Sequence, residues 1–142
     1  MKIKDIMSRD VRTVRPTDTA QQAAAIMAET DVGALPVAEN DRLIGMITDR
    51  DIVIRAVAKG KGPSECCVRD VMSGELKYVY EDESTDDLAR NMSELQVRRL
   101  PVMTRDKQLV GIVAMADLAT APGRSRETKK AITGVSEATT AH

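Results

Sequence analysis

The feature that most constrains the fold of this chain is an internal repeat. Two segments each occur twice with similar sequence: KDIMS (4–8) and RDVMS (69–73), then DVGALPVAENDRLIGMITDRDI (31–52) and QVRRLPVMTRDKQLVGIVAMADL (96–118). The offset between the copies is 65 residues from Asp5 to Asp70. It is 66 from Gly45 to Gly111, so the second copy carries one extra residue. A chain of 142 residues with this repeat is expected to fold as two similar motifs of about 60 residues.

Apolar periodicity and turn residues predict the same order of elements, β-α-β-β-α, in each copy. Strands are predicted at 11–14 and 77–80, and the closing helices at 51–59 and 117–120. The first helix of each copy carries one apolar face, formed by Ala20, Ala23, Ala24 and Met27 or by Leu88, Met92 and Leu95. Its predicted N-cap is Asp18 or Ser84.

The repeat divides the chain into four predicted parts. Motif 1 occupies residues 1–60, a linker 61–67, motif 2 68–121, and a C-terminal tail 122–142. The tail is rich in charged and small residues, and it is expected to be partly disordered or a short helix.

Composition excludes several classes of protein. The formal net charge is −1, so no basic field indicates a nucleic-acid partner. No apolar run approaches the ~20 residues that a membrane span needs, and no signal peptide is recognisable, so a cytoplasmic location is expected. Aromatic residues make up 1% of the chain, so any bound base would be held by aliphatic side chains and backbone.

The residues that usually perform catalysis or bind metals are scarce. The two cysteines, Cys66 and Cys67, are adjacent in the linker, and the only histidine is the terminal His142. Neither a zinc site nor a Cys–His or Ser–His–Asp set can form from them within the fold. The chain is therefore not expected to be an enzyme or to bind a metal.

Six short segments carry a resemblance to a known family: DIMS, GALPV and IGMITDRD in the first copy, and DVMS, RRLPV and VGIVAMAD in the second. On these segments the chain resembles the CBS domain family in its tandem form, the Bateman module. It is most similar to the small stand-alone bacterial proteins of the family, including the hypoxic-response type.

The resemblance implies a mixed α/β (α+β) fold in which two β-α-β-β-α motifs pack sheet to sheet about a pseudo-twofold axis. It implies two clefts between the motifs, which in many members hold AMP, ADP, ATP, NAD or S-adenosylmethionine. The expected function is regulation through such an adenosine-containing ligand, AMP or ATP foremost, with no other cofactor required. The regulated effector protein is expected on another chain.

The first copy meets the family's signature for ribose and phosphate, Gly-x-x-Thr/Ser-x-x-Asp, at Gly45, Thr48 and Asp51. The Thr48 hydroxyl can donate to a phosphate or ribose oxygen, and the Asp51 carboxylate can accept both hydrogens of a ribose diol. A helix N-terminus also offers backbone N–H groups there. The alternative is that both residues only cap the helix.

The second copy departs from this signature at one position. Ala114 stands where the first copy has Thr48, while Asp117 keeps the carboxylate. The second site thereby loses a contact worth on the order of 1 kcal/mol. The cleft of Thr48 and Asp51 is therefore expected to bind an adenosine nucleotide more tightly.

Two arginines distinguish the segment before the second buried LPV strand. Arg98 and Arg99 stand where the first copy has Gly33 and Ala34. The resemblance implies that this segment lines the base pocket and that a basic side chain there meets phosphate, which arginine can bind with two hydrogen bonds. The alternative is a solvated edge. The complete predicted ligand set is Thr13, Gly33, Ala34, Thr48, Asp51, Arg98, Arg99, Pro101 and Asp117.

Two further questions stay open at the level of sequence. A homodimer is expected, in which exposed helices pack against each other through Ile52, Val53, Ala56 and Val57, although the same residues can pack internally. The competing function is a partner-binding or structural stress protein with empty clefts. Nucleic-acid binding rests only on the arginines and the charged tail, and is not expected.

Overall fold

A computed structural model describes residues 1–121 of the chain. These residues form two compact units. The continuous unit is Arg12–Leu76, and the split unit combines Met1–Val11 with the chain from Lys77 onward. The prediction for the tail falls outside the described residues. Among the described residues, no helix is long and apolar enough to cross a membrane.

The continuous unit contains three α-helices and a two-stranded sheet: α1 Ala20–Thr30, β1 Ala34–Glu39, β2 Arg42–Thr48, α2 Asp49–Arg55 and α3 Val68–Val71. The two strands are antiparallel and place Ala34 opposite Thr48. The start of β1 therefore lies beside the end of β2, where the chain enters α2. The strand predicted at 11–14 is reduced to one parallel bridge between Val14 and Val37.

The split unit repeats this plan with β3 Val79–Tyr80, α4 Thr85–Leu95, β4 Arg99–Met103, β5 Leu109–Ala114 and α5 Met115–Thr120. Its sheet has the order β3-β4-β5, with β3 parallel and β5 antiparallel to β4. Arg99 pairs with Ala114, as Ala34 pairs with Thr48 in the continuous unit. The mixed α/β class predicted from the sequence is observed in both units.

Each unit buries its own aliphatic core. The largest fully buried side chains are isoleucine, leucine, valine and methionine, as expected for a chain without phenylalanine or tryptophan. In the continuous unit they include Leu35, Val37 and Ile47, from both strands. Cys66, which was predicted to lie in the linker, is buried and also belongs to this core.

The leading segment of each repeat packs with the opposite copy. In the split unit the backbones of Ser8 and Ile112 exchange two hydrogen bonds, of 2.8 and 2.9 Å. In the continuous unit Ser73 and Met46 do the same, at 2.9 and 3.0 Å. The packed units thus divide the chain differently from the repeat, and the boundaries 1–60 and 68–121 stay a prediction about the repeat alone.

The N-cap of α1 is one residue later than predicted. Thr19 Oγ1 accepts the Gln22 N–H at 3.1 Å, and Gln22 Oε1 accepts the Thr19 N–H at 2.8 Å. Asp18 cannot fill this role, because its carboxylate accepts the N–H of Arg15 at 2.8 Å. For α4 the predicted cap is confirmed: Ser84 Oγ accepts the Asp87 N–H at 3.1 Å.

One apolar residue of the predicted helix faces lies outside the core. Leu95 is 40% exposed, because it is the last residue of α4 and the next residue, Gln96, ends the helix in the left-handed conformation. The other predicted residues of the two faces are buried or pack against a core.

Candidate functional site

The signature residues of the continuous unit meet where β2 passes into α2. Thr48 Oγ1 accepts the N–H of Asp51 at 3.0 Å, and Asp51 Oδ2 accepts the N–H of Thr48 at 3.0 Å. The two residues therefore cap α2 reciprocally. The cap still leaves the Thr48 hydroxyl proton and Asp51 Oδ1 without partners among residues 1–121.

The start of β1 lies directly beside this cap. Gly33 precedes β1, and its carbonyl accepts the N–H of Asp49 at 3.0 Å. The Asp49 carboxylate turns back over Gly33, so that a Cβ placed on that glycine would lie 3.2 Å from Asp49 Oδ2. Ala34 is half-buried. The predicted residues Gly33, Ala34, Thr48 and Asp51 are therefore brought together at one end of the sheet.

The split unit contains the same carboxylate geometry without the hydroxyl. Asp117 Oδ2 accepts the N–H of Ala114 at 2.7 Å, as Asp51 accepts from Thr48. The reciprocal bond is missing, because alanine has no acceptor for the Asp117 N–H. Both aspartates are half-buried.

A cavity opens where β5 passes into α5, and Asp117 itself is not among the residues that line it. Its volume is about 390 Å³, and it is lined by Arg98, Arg99, Ala114, Met115, Ala116 and Ala119. Both arginines are exposed, and neither forms an ion pair with any residue that the structure describes. The predicted arginines and Ala114 therefore line one open, positively charged cavity.

The remaining predicted residues lie less centrally. Thr13 is exposed next to the Val14 bridge, and Pro101 is buried in β4 opposite Ile112. The weaker candidates Arg50 and Lys59 are exposed on the surface.

Sequence reasoning missed three lining residues, Met115, Ala116 and Ala119. It began the last helix at Asp117, whereas α5 begins at Met115. The available signal was the end of β5 at Ala114: residues that follow a strand directly and start a helix border the same end of the sheet.

A second polar cluster lies at the opposite end of the split-unit sheet, near the turn after Met103. The Lys107 ammonium donates to the hydroxyls of Tyr78, at 3.0 Å, and of Tyr80. The two tyrosine rings meet edge to face with centroids 5.5 Å apart. The hydrogen bond from Lys107 lowers the pKa of Tyr78 and raises the pKa of Lys107 itself, because both charged forms are stabilised.

An ion pair extends this cluster. The Arg105 guanidinium lies 4.0 Å from the centre of the Tyr80 ring and donates to both oxygens of Asp82 at 2.8–3.1 Å. The hydrogen bonds from Arg105 lower the pKa of the Asp82 carboxyl. Since this end of the sheet is remote from Ala114, the cluster does not contribute to the cavity.

The apolar surface of the continuous unit lies on α2 and the turn after it. Val53, Ile54 and Val57 are 53%, 48% and 55% exposed. Ile52 and Ala56, which were also predicted to face a second copy, are instead buried in the core of their own unit. The predicted dimer face is thus wrong for these two residues, because they lie on the side of the helix that packs on the sheet.

Within the described residues, no group of three or more histidine, cysteine, aspartate or glutamate side chains is arranged to hold a metal ion. The polar groups at the two strand ends are instead a hydroxyl, carboxylates and guanidinium groups. These are donors and acceptors for a small polar molecule.

Comparison with known proteins supports this picture. Residues 3–57 and 68–124 match the sequence model of the CBS domain family. The CBS domain-containing protein YhcV of Bacillus subtilis is 41% identical over 134 residues, which cover 94% of each protein. The crystal structure of Hypoxic Response Protein I, with two coordinated zinc ions, is similar with a TM-score of 0.77 and 40% identity, covering 86% of this chain and 100% of that one.

A further solved structure contains ligands. The CBS domain pair of protein MJ0100, in complex with 5′-methylthioadenosine and S-adenosyl-L-methionine, is similar with a TM-score of 0.71 and 28% identity, covering 84% of this chain and 93% of that one. Together with the family match, these similarities confirm the resemblance and the fold class inferred from the repeated segments.

Proposed function

Because the chain belongs to the CBS domain family and carries two copies of the domain, we propose that it is a regulatory module that binds adenosine-containing ligands at the two strand ends. Pairs of CBS domains are regulatory modules, and the similar pair of MJ0100 was crystallised with two adenosine compounds. For this chain AMP and ATP are the foremost candidates, followed by ADP, NAD and S-adenosylmethionine.

The observation that carries the proposal is the matched pair of aspartates. In each unit the carboxylate is held by one backbone N–H, at 3.0 Å for Asp51 and 2.7 Å for Asp117. One oxygen is thereby fixed and the other is left to accept from a ligand. A fixed carboxylate is suited to the two adjacent hydroxyls of a ribose, because both are donors at close spacing.

The arginine-lined cavity supports a phosphate in the split unit. Arg98 and Arg99 carry two positive charges at the mouth of a cavity of about 390 Å³. Guanidinium groups bind phosphate with paired hydrogen bonds. In the continuous unit the free proton of the Thr48 hydroxyl is available to a ribose or phosphate oxygen.

The proposal also covers cofactors, catalysis, location and the regulated protein. On this proposal the protein needs no cofactor besides the regulatory ligand and is not an enzyme, since pairs of CBS domains are typically regulatory. Its expected location is the cytoplasm. It acts on an effector protein that the sequence does not identify.

The exposed apolar side chains of α2 and the following turn favour a homodimer. Val53, Ile54 and Val57 form an apolar face, and each of these residues is about half exposed to solvent in one chain. Burial of such a face against a second copy would remove it from water. If the strand ends stay empty, the same face supports the alternative, a protein whose function is to bind a partner.

Isothermal titration with AMP, ADP, ATP, NAD and S-adenosylmethionine tests the proposal. At least one of them should bind the wild type, and Asp51→Ala should weaken binding in the continuous unit by roughly 1–3 kcal/mol. Asp51→Asn keeps an acceptor for the cap and separates loss of ligand contact from loss of helix stability.

The matched control is Glu39→Gln, which removes one carboxylate at the opposite end of β1. It should leave binding unchanged. Absence of binding for all five compounds, or equal affinity of wild type and Asp51→Ala, would refute the assignment and favour the partner-binding alternative.

A further inference from the structure

The two strand ends differ in charge at matched positions. At five matched positions the continuous unit has Gly33, Ala34, Asp49, Arg50 and Asp51. At the same positions, in the same order, the split unit has Arg98, Arg99, Met115, Ala116 and Asp117. The formal charge over these positions is −1 in the continuous unit and +1 in the split unit. The repeat thus preserves the ribose carboxylate, while the formal charge of the other four positions changes from 0 in the continuous unit to +2 in the split unit.

The difference in charge is built around one equivalent backbone contact. The N–H of Asp49 donates to the Gly33 carbonyl at 3.0 Å, and the N–H of Met115 donates to the Arg98 carbonyl at 2.7 Å. Because this bond fixes the two chain segments in the same relation, the side chains at these positions occupy corresponding space in the two units.

In the continuous unit that space is taken by a carboxylate. A Cβ on Gly33 would lie 3.2 Å from Asp49 Oδ2, so the carboxylate lies where the Arg98 side chain begins in the split unit. Asp49 Oδ1 accepts the N–H of Arg50 at 2.8 Å, which holds the group in this orientation. Among the described residues, Asp49 forms no ion pair, so its charge is not neutralised by a partner.

We infer that Asp49 is a specificity-determining residue that makes the continuous-unit site reject phosphate. That site then takes adenosine compounds with an uncharged or cationic 5′ substituent, such as a thioether or a sulfonium. The split unit, with Arg98 and Arg99, takes phosphorylated ones. This inference rests on the proposed function. The tighter binding expected at Thr48 and Asp51 then comes from contacts to the nucleoside part of the ligand and not from contacts to a phosphate.

The test is isothermal titration of adenosine, AMP and S-adenosylmethionine into Asp49→Asn, in an Asp117→Ala background that weakens the split-unit site. Removal of the carboxylate should raise AMP affinity roughly 3- to 10-fold at low salt and lower that of S-adenosylmethionine by a similar factor. Adenosine affinity should change by less than about 2-fold, because adenosine carries no charge at its 5′ end.

Asp41→Asn is the matched control, because it removes one exposed carboxylate at the turn between β1 and β2, at the far end of the sheet. It should leave the AMP-to-adenosine ratio unchanged.

Three outcomes would overturn the inference. If Asp49→Asn alters adenosine and AMP affinity equally, Asp49 supports the shape of the site and does not select charge. If the ratio does not move while adenosine still binds, only the charge selection is refuted. If no adenosine compound binds the wild type, the proposed function falls together with the inference.

Discussion

Replacement of Gly45, the glycine of the signature, by alanine should destabilise the protein. A Cβ at Gly45 would lie 2.6 Å from the Ser73 carbonyl oxygen and 3.1 Å from Met72 Sδ. The carbonyl cannot move away freely, because it accepts the N–H of Met46 at 3.0 Å. The added methyl group must therefore separate β2 from the segment that follows α3.

The magnitude follows from two opposing effects. Overpacking of this kind lowers the free energy of unfolding by about 1–3 kcal/mol. Alanine also restricts the unfolded chain, which raises the free energy of unfolding by about 0.4–1 kcal/mol. The net loss is expected to be about 1–2 kcal/mol. Backbone strain does not enter, because Gly45 does not have a positive φ.

Urea unfolding measures this loss as a lower transition midpoint at unchanged slope. The control is Gly74→Ala, because a Cβ at Gly74 has no heavy atom within 4 Å and that glycine also lacks a positive φ. It should be at least as stable as the wild type, by up to about 1 kcal/mol, because only the restriction of the unfolded chain remains.

The outcome that contradicts the reasoning is equal stability of the two variants. The segment that carries Ser73 would then shift without a measurable loss of stability. A loss at both positions would instead point to a general effect of glycine replacement, unrelated to the close approach of two backbones.

Three further predictions test other parts of the structure. Lys107→Met should raise the pKa of Tyr78 toward the ordinary ~10 of a phenol, seen as a later onset of phenolate absorbance in a chain with two tyrosines and no tryptophan; an unchanged titration would contradict the contact. Replacement of Arg98 and Arg99 by alanine should weaken AMP binding, reduce its salt dependence and spare adenosine, whereas equal losses for both ligands would refute a phosphate contact. Ile3→Ala should cost about 2–4 kcal/mol, because Ile3 is 0% exposed in the core of the split unit; near-wild-type stability in urea would contradict packing of the leading segment.

The sequence by itself determined the features that depend on near neighbours. Helical spacing and turn residues are local, so they predicted the order of helices and strands and the Ser84 cap. The repeated segments identified the family. The proximity of Thr48 and Asp51 was also predictable, because residues three apart at the junction of a strand and a helix must lie close together.

The tertiary structure decided which copy each leading segment joins. The sequences around Ser8 and Ser73 are nearly alike, so no local signal distinguishes pairing with Met46 from pairing with Ile112. That choice depends on backbone hydrogen bonds between residues far apart in the chain.

The direction of the Asp49 carboxylate is a second such case. In the sequence it is one more acidic residue at the start of a helix, where its expected role is a favourable electrostatic interaction with the helix dipole. Only the pairing of β1 with β2 brings it over Gly33, since the strands carry the two residues to the same end of the sheet. The charge of a binding site depends on this kind of contact, between residues that the fold brings together and the sequence keeps apart.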